Sequence, residues 1–147
     1  MKMMKLAFVG AVVLCPLPAI AEPLSFATGE WKASIRGTMN GQEMSNDTLQ
    51  DCMETGKNTI SAADLEDMMG DSFNCSYTNV RRTSSTITSD VTCSTDTDDM
   101  VYNGKSVVNF TRTDFSLELT GALRASNGMK IPAGMSVSAN QISSTCQ

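Results

Sequence analysis

No histidine occurs among the 147 residues of the chain. Its absence excludes Ser-His-Asp triads, Cys-His dyads, histidine-ligated zinc and histidine general bases. Only 18% of the residues are charged and the formal net charge is −5, so we expect no electrostatic binding to nucleic acid. No run of 18 apolar residues occurs either, and we therefore expect no transmembrane segment. A chain of this length suits one domain of ordinary size.

The first 21 residues have the pattern of a secretory signal peptide. Two lysines precede the apolar run Leu6–Leu14, prolines end that run, and Ala19-Ile20-Ala21 forms an A-x-A cleavage site. We predict cleavage after Ala21, which leaves a single disulfide-linked, β-rich domain over residues 22–147 in the periplasm. Cys15 raises lipidation as an alternative, but Leu14 stands where a lipidation motif has a small residue.

Four cysteines remain after cleavage, an even number that predicts two disulfides in an exported chain. They are Cys52, Cys75, Cys93 and Cys146, and no C-x-x-C pair among them suggests a metal site. We prefer Cys52–Cys75 with Cys93–Cys146, because the first bridge closes the loop around a predicted helix and the second anchors the chain end. Cys75–Cys93 with Cys52–Cys146 is the rival, and Cys52–Cys93 with Cys75–Cys146 also stays open.

Alternation of apolar and polar residues predicts strands that each bury one face. The clearest runs are Trp31–Met39 and Phe115–Arg124, and the stretch Ala125–Gly134 is predicted to be an exposed loop. Further strands are predicted over Met44–Met53, Cys75–Arg82, Thr86–Ser94, Lys105–Arg112 and Met135–Ile142. The sequence therefore predicts a mainly β fold, an antiparallel sheet of six or seven strands curled into a sandwich or partial barrel, with one short helix.

The sequence also bears on the strand register of two predicted hairpins. Asn40-Gly41 marks a tight turn, but a strict two-residue turn would direct Leu49 away from the face that carries Trp31. Either a β-bulge or a longer loop would restore it. In the second hairpin, a loop at residues 83–85 would place Cys75 opposite Cys93, which makes that disulfide geometrically possible.

The one predicted helix covers Ile60–Gly70. Ser61 suits its N-cap, and Leu65, Met68 and Met69 fall on one helical face. The methionine pair raises the idea of a copper site or a hydrophobic-ligand site. Packing of a short helix against the sheet through its methionines explains the pattern more simply, and we prefer it.

The order of these features resembles that of the small exported bacterial proteins of domain-of-unknown-function family 3617. A Gly-x-Trp motif at Gly29-Glu30-Trp31 opens the domain, a first cysteine precedes a short helical segment, two more flank a hairpin, and Cys146 ends the domain. Methionines are frequent throughout. The resemblance covers about Gly29–Cys146 and implies a periplasmic or envelope location. It implies no activity, so no functional residue is carried over from it.

The residues favour a non-catalytic periplasmic module that binds a small apolar ligand or an envelope protein, or that has a structural role. The candidate contact surface is the apolar face near Trp31 and Phe115, with the Met68-Met69 helix as a flap. We predict no metal and no cofactor. Asp96 in the acidic loop resembles the start of a calcium loop, but valines stand where the motif needs glycine and glutamate.

Two alternatives stay open. The first is a hydrolase-type enzyme that uses paired carboxylates, since histidine and free thiols are absent from the mature chain. A Ser-Lys dyad is disfavoured, because Lys105 and Ser106 are adjacent and would point to opposite faces of a strand. The second alternative is a stress or envelope protein with no small ligand.

Overall fold

The computed structural model describes residues 23–61, 73–95 and 100–146. Within these ranges every regular element is a strand, and no helix occurs. The strands are β1 (Leu24–Ser25), β2 (Gly29–Met39), β3 (Gln42–Met53), β4 (Thr59–Ile60), β5 (Phe73–Arg82), β6 (Thr86–Thr95), β7 (Met100–Phe110), β8 (Asp114–Ala125) and β9 (Lys130–Ser143).

Seven of the strands form one antiparallel sheet in the order β3-β2-β9-β8-β7-β6-β5. Strands β1 and β4 form a separate antiparallel pair, with Leu24 opposite Ile60. The larger sheet is not closed, because β3 and β5 are edge strands that do not pair with each other. The predicted mainly β, antiparallel architecture is confirmed.

One face of the seven-stranded sheet is apolar and the other is polar, because side chains alternate along each strand. In β8, Phe115, Leu117 and Leu119 are buried, whereas Glu118 and Thr120 are exposed. The strand register extends this alternation sideways, since Val108 of β7 and Val137 of β9 lie on either side of Leu117. The buried residues of successive strands therefore form one continuous apolar layer.

The β2–β3 hairpin has the tight turn that its sequence predicts, and a β-bulge, not a longer loop, sets its register. Asn40 and Gly41 both have positive φ, 52° and 77°, as the turn requires. The register shifts between Gly37 and Thr38, because β3 carries one extra residue there. Leu49 therefore pairs with Ala33 and returns to the face that carries Trp31.

The loop predicted over Ala125–Gly134 is wrong in its second half. The turn is shorter, and β9 already begins at Lys130. Pro132 lies within this strand opposite Ala122, and its carbonyl accepts a hydrogen bond from the backbone N–H of Asn40 at 2.7 Å. A proline carbonyl still accepts a hydrogen bond, so the missing N–H does not prevent strand pairing here.

One end of the sheet is closed by the segment that contains β1. The Phe26 ring packs edge-on against the rings of Trp31 and Phe115, with centroid separations of 5.6 and 5.9 Å. The backbone N–H of Phe26 donates to the Asn58 carbonyl, and the Asn58 side-chain amide donates back to the Phe26 carbonyl, both at 2.8 Å. We call this region the closed end, and the opposite end, which carries the β2–β3 and β8–β9 turns, the open end.

The preferred disulfide pairing is wrong, and the rival pairing is the one formed, with bridges Cys52–Cys146 and Cys75–Cys93. Cys75 lies directly opposite Cys93 in the β5–β6 ladder, with 4.0 Å between the Cα atoms, as the hairpin register predicts. Cys93–Cys146 is impossible in this fold, because Cys93 lies near the open end of β6 whereas Cys146 follows the closed end of β9. The two bridges indicate an oxidising, extracytoplasmic environment.

The C-terminal disulfide follows from the register of Glu30 in β2. Glu30 pairs with Cys52 of β3 on one side and with Ser143 of β9 on the other. The chain beyond Ser143 therefore needs to cross only one strand to reach Cys52, and the Cα atoms of Cys52 and Cys146 are 5.5 Å apart.

The predicted helix Ile60–Gly70 has no counterpart in the described residues. Its first residue, Ile60, belongs instead to β4, where backbone pairing with Leu24 takes precedence over local helix propensity. Residues 62–70, which include Met68 and Met69, lie outside the described residues.

We predict that a tryptic digest of the unreduced protein contains two linked peptide pairs. Cleavage after lysine and arginine places the four cysteines on separate peptides, residues 37–57, 58–81, 83–105 and 131–147. Mass spectrometry should find 37–57 joined to 131–147 and 58–81 joined to 83–105, because the register brings those cysteines together. A link between 37–57 and 58–81 would contradict the described register.

Candidate functional site

The candidate site is an apolar cavity of about 300 Å³ near the open end of the sheet. Its wall on one side comes from β2 and β3 and includes Ile35 and Met44, and its wall on the other side includes Cys93 of β6 and Tyr102 of β7. In a flat sheet β3 and β6 would be roughly 24 Å apart, at about 4.8 Å per strand. One cavity of this size contacts both strands only because the sheet curls about its apolar face.

Among the residues that the structure describes, no charged side chain lines the cavity. The lining residues are apolar or small and neutral, and comprise Ile35, Gly37, Thr38, Met39, Met44, Ser45, Cys93, Tyr102, Leu119, Leu123, Ala133, Gly134 and Met135. Burying an ion without a partner costs far more than burying a neutral molecule. The cavity therefore suits a neutral apolar molecule and disfavours an ion.

One row across the sheet, beside the cavity, lacks large side chains. Gly104 of β7 pairs with Gly121 of β8, which pairs with Ala133 of β9. A Cβ added at Gly121 would lie 2.6 Å from the Cα of Gly104, and one added at Gly104 would lie 2.6 Å from the Tyr102 hydroxyl. Neither glycine position can hold a side chain. No side chain of these two residues therefore packs between the rows on either side.

Tyr102 forms the aromatic wall of the cavity, with its side chain extended over Gly104. The residue is only 9% exposed, and its hydroxyl has no hydrogen-bond partner among the described residues. Burial raises the pKa of this phenol above its ordinary value of 10.0, because the charged form is poorly solvated there. A buried hydroxyl without a partner lowers stability, so the folded protein tolerates a cost at this position.

Trp31 and Phe115, which the sequence suggests as contact residues, lie at the closed end. They are 6% and 5% exposed, they pack on Phe26, and neither lines the apolar cavity. The indole N–H of Trp31 donates to the Ala27 carbonyl at 2.9 Å. The cavity is therefore formed by different residues on the same face, and Met68 and Met69 lie outside the described residues.

Most of the cavity lining could not be predicted from the sequence, although the sequence contains one relevant feature. Gly104 and Gly121 interrupt two strands whose neighbouring positions are large, and glycine inside a strand indicates a bend or a close approach. The two glycines become informative only with the β7–β8 register, which places them opposite each other.

A second depression, of about 620 Å³, lies beside the β5–β6 bulge and is polar. It is lined by Asp90, Lys105 and Arg81, and Asp90 accepts a hydrogen bond from Asn79 at 2.6 Å and pairs with Lys105 at 3.4 Å. The hydrogen bond from Asn79, and then Lys105, hold the pKa of Asp90 below its usual value. A general acid at neutral pH needs the opposite shift.

Lys105 and Ser106 have separate partners on separate faces. Lys105 contacts Asp90 on the polar face, whereas the Ser106 hydroxyl is buried and hydrogen-bonds the Ser89 hydroxyl at 2.6 Å. This arrangement forms no Ser-Lys dyad. Within the described ranges, no three Cys, Asp or Glu side chains converge in a geometry that could hold a metal ion. The same ranges contain no helix able to span a bilayer.

The fold and cavity define a disulfide-linked, curled β-sheet protein with one apolar interior. The chain belongs to the family described as protein of unknown function (DUF3617), whose model matches residues 24–146 and so includes all four cysteines of the two bridges. No curated protein and no solved structure matches the chain. The family membership that the sequence features suggest is thus confirmed, and the function has to be inferred from the site itself.

We expect the substitution Tyr102→Phe to raise the free energy of unfolding at pH 7 by about 1 kcal/mol, because it removes a buried hydroxyl that has no partner. Urea denaturation measures the change. The difference between variant and wild type should grow above pH 10, since the unfolded wild-type chain then loses its phenolic proton before the folded protein does. A variant less stable than wild type at pH 7 would show that the hydroxyl has a stabilising partner.

Proposed function

We propose that this protein is a non-catalytic periplasmic binding module that holds a small neutral apolar molecule in the cavity at its open end. The observation that carries the proposal is a cavity of about 300 Å³ that is bounded by several strands and that no charged side chain lines within residues 23–61, 73–95 and 100–146. Apolar pockets with few polar groups are the usual sites of small-molecule binding. If the side chains of this region only packed together as a core, no such space would remain.

The volume limits the size of the ligand. Ligand pockets range from roughly 300 to 1,000 Å³, so this cavity is at the small end of the range. An apolar cavity of about 150 Å³ accommodates benzene, so about two rings, or an alkyl chain of similar volume, fit inside this one, and a third ring of the same molecule can extend out at the open end. Thr38 and Ser45 are the hydroxyl side chains at the β2–β3 wall, where they can contact one polar group of the ligand.

The proposed location is the periplasm, reached by export with cleavage after Ala21. The support is the signal-like pattern of residues 1–21 together with two disulfides that need an oxidising compartment. The mature domain would then span residues 22–147. In protein isolated from its native host, the digest used for disulfide mapping should contain an N-terminal peptide that begins at Glu22.

The non-catalytic role is favoured over a hydrolase-type enzyme because, in the described part of the chain, the Tyr102 phenol is the one ionisable group that lines the cavity. The phenol has a raised pKa, which makes it a poor base at neutral pH. The other alternative, a stress or envelope protein without a small ligand, differs from the proposal in one respect only, which is whether the cavity is ever occupied.

We expect the purified protein to bind N-phenyl-1-naphthylamine, a neutral fluorescent probe, and to discriminate against 8-anilinonaphthalene-1-sulfonate. The two probes share the same ring system and differ by one sulfonate, so their comparison isolates the effect of charge. The sulfonate should weaken binding at least about tenfold, because no cation lines the cavity to receive it. Fluorescence titration measures both affinities.

A matched pair of variants locates the binding. Ala133→Leu adds a larger side chain to the cavity wall and should weaken binding of the neutral probe about tenfold. Ser136→Leu makes a comparable addition on the polar face of the same strand, where Ser136 is exposed, and should leave the affinity unchanged. Equal effects of both variants would place the probe elsewhere. Failure of the wild type to bind the neutral probe would favour the role without a small ligand.

A further inference from the structure

The methionines of the described residues are concentrated at the open end. Six are described, and only Met53, at the end of β3, lies at the closed end. The other five are Met39, Met44, Met100, Met129 and Met135. Met39, Met44 and Met135 line the apolar cavity. Met100 and Met129 lie beside Ala125. Ala125 pairs with Met100 in the β7–β8 ladder and donates its N–H to the carbonyl of Met129.

Core packing does not explain this arrangement. Met44, Met129 and Met100 are 64%, 53% and 40% exposed, so each of these residues keeps a large accessible surface. Met53, by contrast, is partly buried and packs against the hydrophobic core. Flexible and polarisable methionine side chains are common on surfaces that bind variable apolar partners. They are also the side chains that oxidants convert most easily from apolar to polar.

We propose that the exposed open-end methionines, Met44 and Met129 first, are sites of sulfoxidation by hydroperoxides, and that oxidation of Met44 lowers the affinity of the cavity for apolar molecules. The second part rests on the proposed function, and the first part does not. In the reaction the thioether sulfur attacks one peroxide oxygen with its lone pair, an S–O bond forms and the O–O bond breaks. The sulfur is oxidised to the sulfoxide and the peroxide is reduced. The proton of the transferred oxygen passes to the other peroxide oxygen, which leaves as water from hydrogen peroxide or as an alcohol from an organic hydroperoxide.

The sulfoxide changes the cavity because its oxygen is a strong acceptor placed in an apolar wall. Met44 is the extra residue of the β3 bulge and contributes to the cavity lining. An apolar ligand seated against an oxidised Met44 would bury that oxygen without a donor, which costs binding free energy. Met129 is not part of the lining, so its oxidation should leave the affinity unchanged and provides an internal control.

Site selectivity is measured first, without any ligand. The disulfide-bonded protein is treated with hydrogen peroxide, digested with trypsin after quenching, and analysed by tandem mass spectrometry for the addition of one oxygen. Met44 and Met129 should oxidise at least about fivefold faster than Met53, because their sulfur atoms are more accessible. Oxidation of Met53 at the same rate as Met44 would overturn the assignment.

Affinity for N-phenyl-1-naphthylamine is measured next, on protein before and after oxidation. Oxidised wild type and the oxidised Met129→Leu variant should both bind about tenfold more weakly than their untreated forms, and oxidised Met44→Leu should keep its affinity. Met44→Gln, which places a polar group of similar length, should bind weakly without oxidation. Selective oxidation with unchanged affinity would overturn the second part. Absence of binding before oxidation would refute the proposed function and, with it, the second part, while the mass spectra still decide the first part.

Discussion

The structure depends on the restriction of apolar side chains to one face of a seven-stranded antiparallel sheet. Alternation along β8 places Phe115, Leu117 and Leu119 on the same face, and the registers with β7 and β9 extend that face sideways. Such a face must be covered, because exposed apolar area costs free energy in water. Curling of the sheet about this face covers much of it, and the segment with Leu24 and Phe26 covers the closed end.

The same constraint explains why the two ends differ. At the closed end the Phe26 ring packs between the rings of Trp31 and Phe115, with each centroid separation below 6 Å. The three rings fill the interior there. At the open end the corresponding row contains Gly104 and Gly121, whose positions exclude side chains. The cavity lies beside this row, between residues of β2, β3, β6, β7, β8 and β9.

The sequences of the two edge strands, β3 and β5, oppose pairing with a further strand. Asp47 and Asp51 of the edge strand β3 pair with Ile35 and Trp31, so they occupy positions of the apolar face. Charged residues at such positions oppose the addition of another strand. On the other edge, β5 is interrupted by a register shift near Asn79, which has a φ of 52°. Both features favour a single curled sheet over edge-to-edge association.

Local patterns in the sequence predict much of this fold, whereas long-range registers determine the rest. The alternation in β2 and β8, the Asn40-Gly41 turn and the alignment of Cys75 with Cys93 all follow from residues close in sequence. The Cys52–Cys146 bridge does not, since it depends on Glu30 lying between β3 and β9. The cavity also depends on long-range register, because the distant strands β3 and β6 form its opposite walls. An apolar face near Trp31 could be predicted, but which end of it is filled could not.

The apolar cavity at the open end is tested most directly by a crystal structure of the protein under xenon pressure, since xenon enters apolar cavities. The structure described above predicts an anomalous peak in van der Waals contact with Leu119, Leu123 and Met135, and none beside Phe26. Xenon absent from this position, with those side chains packed against one another, would contradict the cavity and the function proposed for it.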